Sequence, residues 1–323
     1  MKHKITRRSF IEKSAIATVG AAISIPAISK ANDLANEFPI AASDDLSIHV
    51  FSKHLQFLDY KGAAEAAAEI GFDGLDWSVR PKGHVLPENV KRDLPIAVAE
   101  AKKVGLKPKM MTTGVTKADD QYTEDVLGTA TKLGIEFYRL GYYKYSKDSS
   151  IPEAIAGIRQ DVTSLSVLNK KLNITGAYQN HAGLHVGAAI WEIWEMLKDV
   201  KNENMGCQYD IRHASVEGGM SWPTGLKLIK PQIKSLVLKD YKWEQSNGKW
   251  NLINTPIGEG MVDFPAYFKL LKQYNINVPI SMHYEYDMGG AEHGKKDISI
   301  SKKEVFQIMK KDLAKVRKYW KNA

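Results

Sequence analysis

Eight short β-rich runs alternate with helix-length stretches along most of the chain, and few folds accept that order. The strand candidates are residues 46–51, 74–77, 108–112, 137–141, 174–179, 206–210, 235–239 and 279–285. Between them, residues 62–70, 87–104, 123–133, 151–172, 188–200 and 264–274 carry apolar side chains at three- and four-residue spacing, and 302–320 closes the chain in the same way. Gly71, Gly105 and Gly134 stand where helices should stop, each followed by an apolar residue that opens the next segment. Eight strand–helix units predict a closed (β/α)8 barrel of the α/β class. An open doubly wound sheet is the rival, but no glycine-rich phosphate loop follows the first strand. No shift in composition marks a second domain, so residues 45–323 read as one barrel.

Composition narrows the function classes. With 44% hydrophobic and 25% charged residues in 323, disordered and fibrous classes are excluded. The net charge of +8 is concentrated at the start. Residues 1–31 hold Lys2, Lys4, Arg7, Arg8, Lys13 and Lys30 against Glu12 alone, a net +5, which leaves +3 for everything after them. That balance gives no support to a nucleic-acid partner. A single cysteine, Cys207, rules out an internal disulfide framework and a cysteine-only zinc site. The segment from Thr6 to Lys13, with its paired Arg7 and Arg8 and the aromatic Phe10, resembles a twin-arginine export motif. The apolar stretch from 15 to 28 is short for a membrane span. Residues 1–31 therefore read as a twin-arginine signal peptide and 32–44 as a linker. The expectation is export through the twin-arginine machinery to the periplasm, with no membrane segment in the mature form.

In a barrel of this kind the chemistry sits at the carboxyl ends of the strands. Those ends carry Lys53 and His54 after the first, Arg80 and His84 after the second, and Arg139 at the fourth. Gln179, Asn180 and His181 follow at the fifth, Asp210, Arg212 and His213 at the sixth, Lys239 and Asp240 at the seventh, and Ser281 to Glu285 at the eighth. Charged groups converging on one mouth cost desolvation unless they pair or bind something.

Six fragments, in order, resemble the sugar phosphate isomerase/epimerase superfamily of xylose-isomerase-like barrels. They are Ala-Glu-Ile-Gly-Phe-Asp-Gly-Leu-Asp at 68–76, Gln-Asn-His-Ala-Gly at 179–183, Tyr-Asp-Ile-Arg-His at 209–213, Leu-Lys-Asp at 238–240, Ile-Gly-Glu-Gly-Met-Val-Asp-Phe at 257–264 and His-Tyr-Glu-Tyr at 283–286. The resemblance implies one divalent ion (Mn, Co, Mg or Zn), held by a Glu, an Asp, a His and a second Glu from strands five to eight, and no nucleotide cofactor. Carried over by position, Gln179 stands where the first Glu is expected, Asp210 matches the Asp, and His213 matches a histidine that contacts substrate. Val237 replaces the seventh-strand His, and either His283 or Glu285 takes the last position. The implied metal set is thus Gln179, Asp210 and His283, with Glu285 as the alternative. A metal-free site, with Lys239, Arg139 or a cationic histidine opposing negative charge, is the other reading.

The family's common step removes a proton beside a carbonyl to give an enediolate. It needs a base near the carbon and a positive group near the oxygen. His181 or Glu285 is expected as the base and Lys239 as the oxyanion partner. His54, Arg80, His84, Arg139, Asn180, His213 and Asp240 are expected against substrate. Trp77, Trp222, Trp243, Tyr142, Tyr143 and Tyr145 are candidates for stacking on a sugar ring. Export favours a non-phosphorylated keto-sugar, isomerised or epimerised. A lyase that cleaves 3-keto-glycosides by β-elimination is the alternative, and a non-catalytic sugar-binding protein on a degenerate barrel is the rival from another class; an oligomer is compatible with each. An endonuclease of the abasic-site type would need metal ligands and a basic face that this chain does not offer.

Overall fold

A computed structural model describes residues 45–323; the expected signal peptide and linker lie outside them. Eight parallel strands close a barrel. They are β1 (Ile48–Phe51), β2 (Gly74–Val79), β3 (Met110–Thr113), β4 (Phe137–Arg139), β5 (Thr175–Gln179), β6 (Met205–Asp210), β7 (Ile233–Leu238) and, after a hairpin, β10 (Ile280–Met282). Each strand pairs with its chain neighbour, and β1 closes the ring on β10 with Ile48 opposite Ile280. The helices α1 (Tyr60–Ile70), α2 (Val90–Lys103), α3 (Thr123–Leu133), α4 (Ile151–Leu172), α5 (Ile190–Leu197), α6 (Ile211–Gly218), α7 (Trp222–Ile229), α8 (Phe264–Gln273) and α9 (Lys302–Asn322) supply the crossovers and close the chain.

The local chemistry follows the sequence signals. Asp59 accepts the Gly62 N–H at 2.7 Å to cap α1, and Gly71 ends that helix in the left-handed region at φ 101°. Ser150 and Glu153 form a reciprocal capping box that opens α4. Buried Ala63, Ala67 and Ile70 of α1, Leu94 and Val98 of α2, and Val162 and Leu165 of α4 line faces that pack on the barrel. Among the described residues no helix is long and apolar enough to cross a membrane.

Two regions depart from the expected element order. The chain after β6 makes α6 and α7, where no helix was expected, because Asp210 caps α6 directly from the strand end. After β7 comes an antiparallel hairpin, β8 (Asp240–Ser246) and β9 (Lys249–Thr255). Its two-residue turn is Asn247-Gly248, with φ 50° and 73°, the left-handed pair that such a turn requires.

The hairpin is tied down by Asp240. Its carboxylate accepts the backbone N–H groups of Tyr241 (2.8 Å), Gly258 (2.9 Å), Gly260 (3.0 Å) and Val262 (3.1 Å). A carboxylate with four donors has no lone pair to spare, so Asp240 is a clamp for the loop and not the substrate contact expected of it. Asp240→Ala would strand these donors and should lower stability by about 2–4 kcal/mol. Urea unfolding measures this; a loss under about 0.5 kcal/mol would contradict the clamp.

Candidate active site

The carboxyl end of the barrel gathers side chains from five consecutive places around the ring. Gln179 and Asp210 are the last residues of β5 and β6, Lys239 follows β7, and Glu285 lies beyond β10. Tyr142 stands three residues past β4. Asn180 fastens two of the strand ends: its amide donates to the Asp210 carbonyl at 2.9 Å and accepts the Asp210 N–H at 2.7 Å. Each end of that amide makes one bond to the Asp210 backbone, so Asn180 positions Asp210.

Lys239 is the centre. Its ammonium lies 3.0 Å from Asp210 Oδ2, 3.1 Å from Glu285 Oε1 and 2.7 Å from His213 Nε2. The Lys239 and Asp210 side chains are 3% and 0% exposed, whereas that of Glu285 is 29% exposed. Burial opposes the lysine's charge, but Asp210 and then Glu285 outweigh it and raise its pKa. Burial likewise opposes the Glu285 charge, yet Lys239 brings that carboxyl down to about 2. His213 is kept neutral by burial and by Lys239. Its other nitrogen lies 3.0 Å from Arg212 Nη1, and a neutral ring has one lone pair, so the two cations compete for it. Arg212 also donates to Asn254 Oδ1 at 2.6 Å, and Asn254 donates to the Glu285 carbonyl at 3.2 Å.

Gln179 completes the inner face. Its Nε2 donates to Asp210 Oδ2 at 2.8 Å, and its Oε1 accepts the Tyr142 hydroxyl at 2.7 Å. The Arg139 guanidinium sits 4.6 Å from the Tyr142 ring centre. His181 packs against His213, with centroids 4.1 Å apart, and against His185 at 4.0 Å. Nδ1 of His181 lies 2.9 Å from the Ala182 carbonyl, so it carries the proton and Nε2 keeps its lone pair. Burial holds the ring's pKa down at about 4. Below the mouth, Asp76 Oδ2 accepts Ser281 Oγ (2.6 Å) and Thr112 Oγ1 (3.0 Å), and burial pushes its carboxyl up to about 6. Arg139 Nε and Nη1, Arg80 Nε and His283 Nε2 have no hydrogen-bond partner among the described residues.

Several expected site residues have other work. His54 uses both ring nitrogens on backbone, accepting the Tyr284 N–H at 3.1 Å and facing the Ala291 carbonyl at 3.4 Å. It is a buried strut between the first and last loops. His84 directs Nε2 at the Leu58 carbonyl, 3.0 Å away, and packs on Trp77. His283 stacks on Phe51 at 4.6 Å and does not join the Asp210 cluster. Arg80 lies 5.4 Å over the same Phe51 ring. Of the aromatic candidates, Trp77 and Tyr143 are buried in the core, Tyr145 packs against that core, and Trp243 lies half out on the hairpin. Trp222 lines an apolar cleft of about 230 Å³ with Trp191 and Tyr209. Tyr209 precedes the inward Asp210, so that cleft opens on the outer face of β6. Tyr142 alone stands at the mouth.

The set implied for a divalent ion does not fit one. The Lys239 ammonium fills the place between Asp210, Glu285 and His213, at hydrogen-bond distances and not the roughly 2.0–2.3 Å of metal ligation. Gln179 turns its N–H donors toward Asp210, which opposes a cation there. Val237, in register with Asp210, has no donor atom. Among the described residues no three His, Cys, Asp or Glu side chains form a metal-holding group.

The chain belongs to the xylose isomerase-like TIM barrel family, whose profile matches residues 64–304. Solved structures share the fold at low identity. A D-allulose 3-epimerase from Methylomonas sp. is 16% identical, with a TM-score of 0.62 over 85% of this chain and 98% of its own. The 3-keto-D-glucoside 4-epimerase of E. coli is 14% identical, with a TM-score of 0.60 over 85% and 100%. A probable 3-DHS dehydratase from Bacillus anthracis is 15% identical, at 0.58 over 82% and 98%. Among curated proteins no match is found.

Histidine burial has a consequence for stability. Burial is the first cause of a lowered pKa at His49, His54, His84, His181, His213 and His283, with His49 and His181 near 4. The unfolded chain binds protons at these rings near 6.5, so stability is present above that pH and is lost as pH falls toward about 4. His49 alone supplies on the order of 3 kcal/mol at most. Asp76, Asp161, Asp240 and Asp312, whose pKa values burial raises, work in the opposite sense, but the six rings outnumber these four. The urea midpoint should therefore drop steadily from pH 7 to pH 4.5; a flat or rising midpoint would contradict the neutral, buried rings.

Proposed function

We propose that the protein is a sugar epimerase or isomerase that moves a proton beside the carbonyl of a non-phosphorylated keto-sugar. One observation carries this reading: the Lys239 ammonium lies 3.1 Å from Glu285 Oε1 and 2.7 Å from His213 Nε2, and His181 stacks on that His213 ring at 4.1 Å. His181 and Glu285 are both in their basic form at neutral pH, since their pKa values lie near 4 and 2. Inverting a stereocentre needs a proton taken from one side and returned on the other, and two groups that exchange protons with water suit that. The epimerase names among the structural relatives support the same class.

The residues divide the work as follows. The sugar's carbonyl oxygen approaches Lys239 Nζ, whose three N–H bonds already serve Asp210, Glu285 and His213. Glu285 is the exposed partner, so the sugar oxygen displaces it. That release relieves the depressed pKa of Glu285 and places a stronger base beside the substrate carbon. His181 Nε2 or Glu285 removes the C–H proton, and the electron pair moves to the oxygen beside the ammonium. Reprotonation at carbon comes from the other group after it has taken up a proton from water, since both start unprotonated, and the base then gives its proton to water. Arg80, Arg139 and Tyr142 offer donors to the remaining hydroxyls. A β-elimination from the same enediolate is the second reading, favoured by the likeness to a dehydratase. The paired arginines of the N-terminal segment place the reaction in the periplasm in this proposal.

Incubation with 3-keto-glucose and ketohexoses in D₂O, followed by mass spectrometry, tests the step. One deuterium should enter beside the carbonyl. His181→Ala and Glu285→Ala should each slow that entry by about 10²-fold or more, with unchanged circular dichroism. Wild-type exchange rates in both variants would remove the assignment. With His181 as base, kcat/KM should rise with pH through about 4 and be level above it. A limb near 6.5 would instead indicate an exposed histidine.

A further inference from the structure

We infer that the Lys239 side chain occupies the cation position of this barrel, so that the protein carries an internal ammonium where a divalent ion would otherwise sit. The inference deepens the proposed function but rests on the geometry of the free protein. Three donors from three strand ends converge on one point: Asp210 Oδ2 at 3.0 Å, Glu285 Oε1 at 3.1 Å and His213 Nε2 at 2.7 Å. Two carboxylates and an imidazole are donor types that first-row ions also take, but these three stand at ammonium distances and form no metal-holding group among the described residues. Here the point of convergence is Nζ.

The neighbours are adapted to an ammonium. A lysine presents three N–H donors and no lone pair, and the three acceptors match them one for one in the tautomer where His213 turns its lone pair to Lys239 and not to Arg212. Gln179 adds no charge, and its amide N–H satisfies the second direction at Asp210 Oδ2, 2.8 Å away. With one positive group against Asp210 and Glu285, an additional dication would meet Lys239 at contact distance in a buried site. Repulsion at that range is far stronger than in water. Val237 lines the wall in register with Asp210 and Ser281, and it supplies no ligand to hold such an ion beside the lysine. The ammonium and a metal ion are therefore alternatives for one position. The catalytic consequence is a fixed positive charge that no chelator removes.

The test needs no substrate, so it stands or falls apart from the proposed reaction. The purified full chain is analysed for metals by mass spectrometry, and its thermal unfolding is followed with EDTA and with 1 mM Mn²⁺, Co²⁺ or Zn²⁺ (about 1 mM being ample for a first-row site). Wild-type protein should carry below about 0.1 equivalent of any divalent ion, with a Tm moved by neither EDTA nor added metal. Lys239→Ala opens the position, and Mn²⁺ should then raise its Tm by about 4 °C or more. Lys239→Gln, one atom shorter and without the charge, serves the same comparison if the alanine variant does not fold. Near-stoichiometric metal in the wild type, or a Tm lowered by EDTA, would overturn the inference. So would a folded Lys239 variant that gains nothing from any of the three ions.

Discussion

A buried ammonium between two carboxylates and an imidazole organises the mouth of this barrel. Lys239 links the ends of three strands, since Asp210 belongs to β6, Lys239 itself follows β7, and Glu285 follows β10. Burial disfavours a charge on Asp210 and on Lys239, and each offsets that cost for the other, with Glu285 adding to the attraction. Deleting one member of such a set leaves an uncompensated charge and costs about 3–5 kcal/mol in comparable cases. The further contacts follow from it. Asn180 aligns Asp210, Gln179 fills the remaining direction at Asp210 Oδ2, and Arg212 with Asn254 links His213 to the Glu285 backbone.

This arrangement bears directly on chemistry. Asp210 is enclosed and keeps its place, while Glu285 is partly exposed and is the partner that can yield. The centre thus has one permanent and one exchangeable anion. Neutral His181 stacks on His213 with its free nitrogen set by the Ala182 carbonyl. A polar layer beneath, built on Asp76, Thr112 and Ser281, replaces the apolar filling usual in such barrels. Its partly protonated carboxyl lies close to the neutral pH range, near the unpartnered donors of Arg80 and Arg139.

The barrel was legible because its signals are periodic and local. Short β-rich runs such as 46–51, and stop signals such as Gly71 and Gly134, need no knowledge of distant contacts. The hairpin escaped because β8 begins one residue after Lys239, which hides its start in what reads as one strand. The Asn247-Gly248 turn was nevertheless its clear local signal. Residue type and strand-end position were enough to nominate Asp210, His213, Lys239 and Glu285. The same reasoning overreached at His54, His84, Asn180 and Asp240, because a polar side chain at a loop is as readily consumed by backbone N–H and C=O groups. Tyr142 was read only as a stacking surface, although its hydroxyl fixes Gln179. Asn254 lies on the unrecognised hairpin, and no signal in the sequence links it to Glu285.

The most direct measurement is a crystal structure grown in Mn²⁺, with diffraction collected at the manganese absorption edge. Continuous density for the Lys239 chain, ending about 3 Å from Asp210 and Glu285 with no anomalous peak between them, is the expected result. An anomalous peak about 2.2 Å from those oxygens, with the lysine turned away, would contradict it.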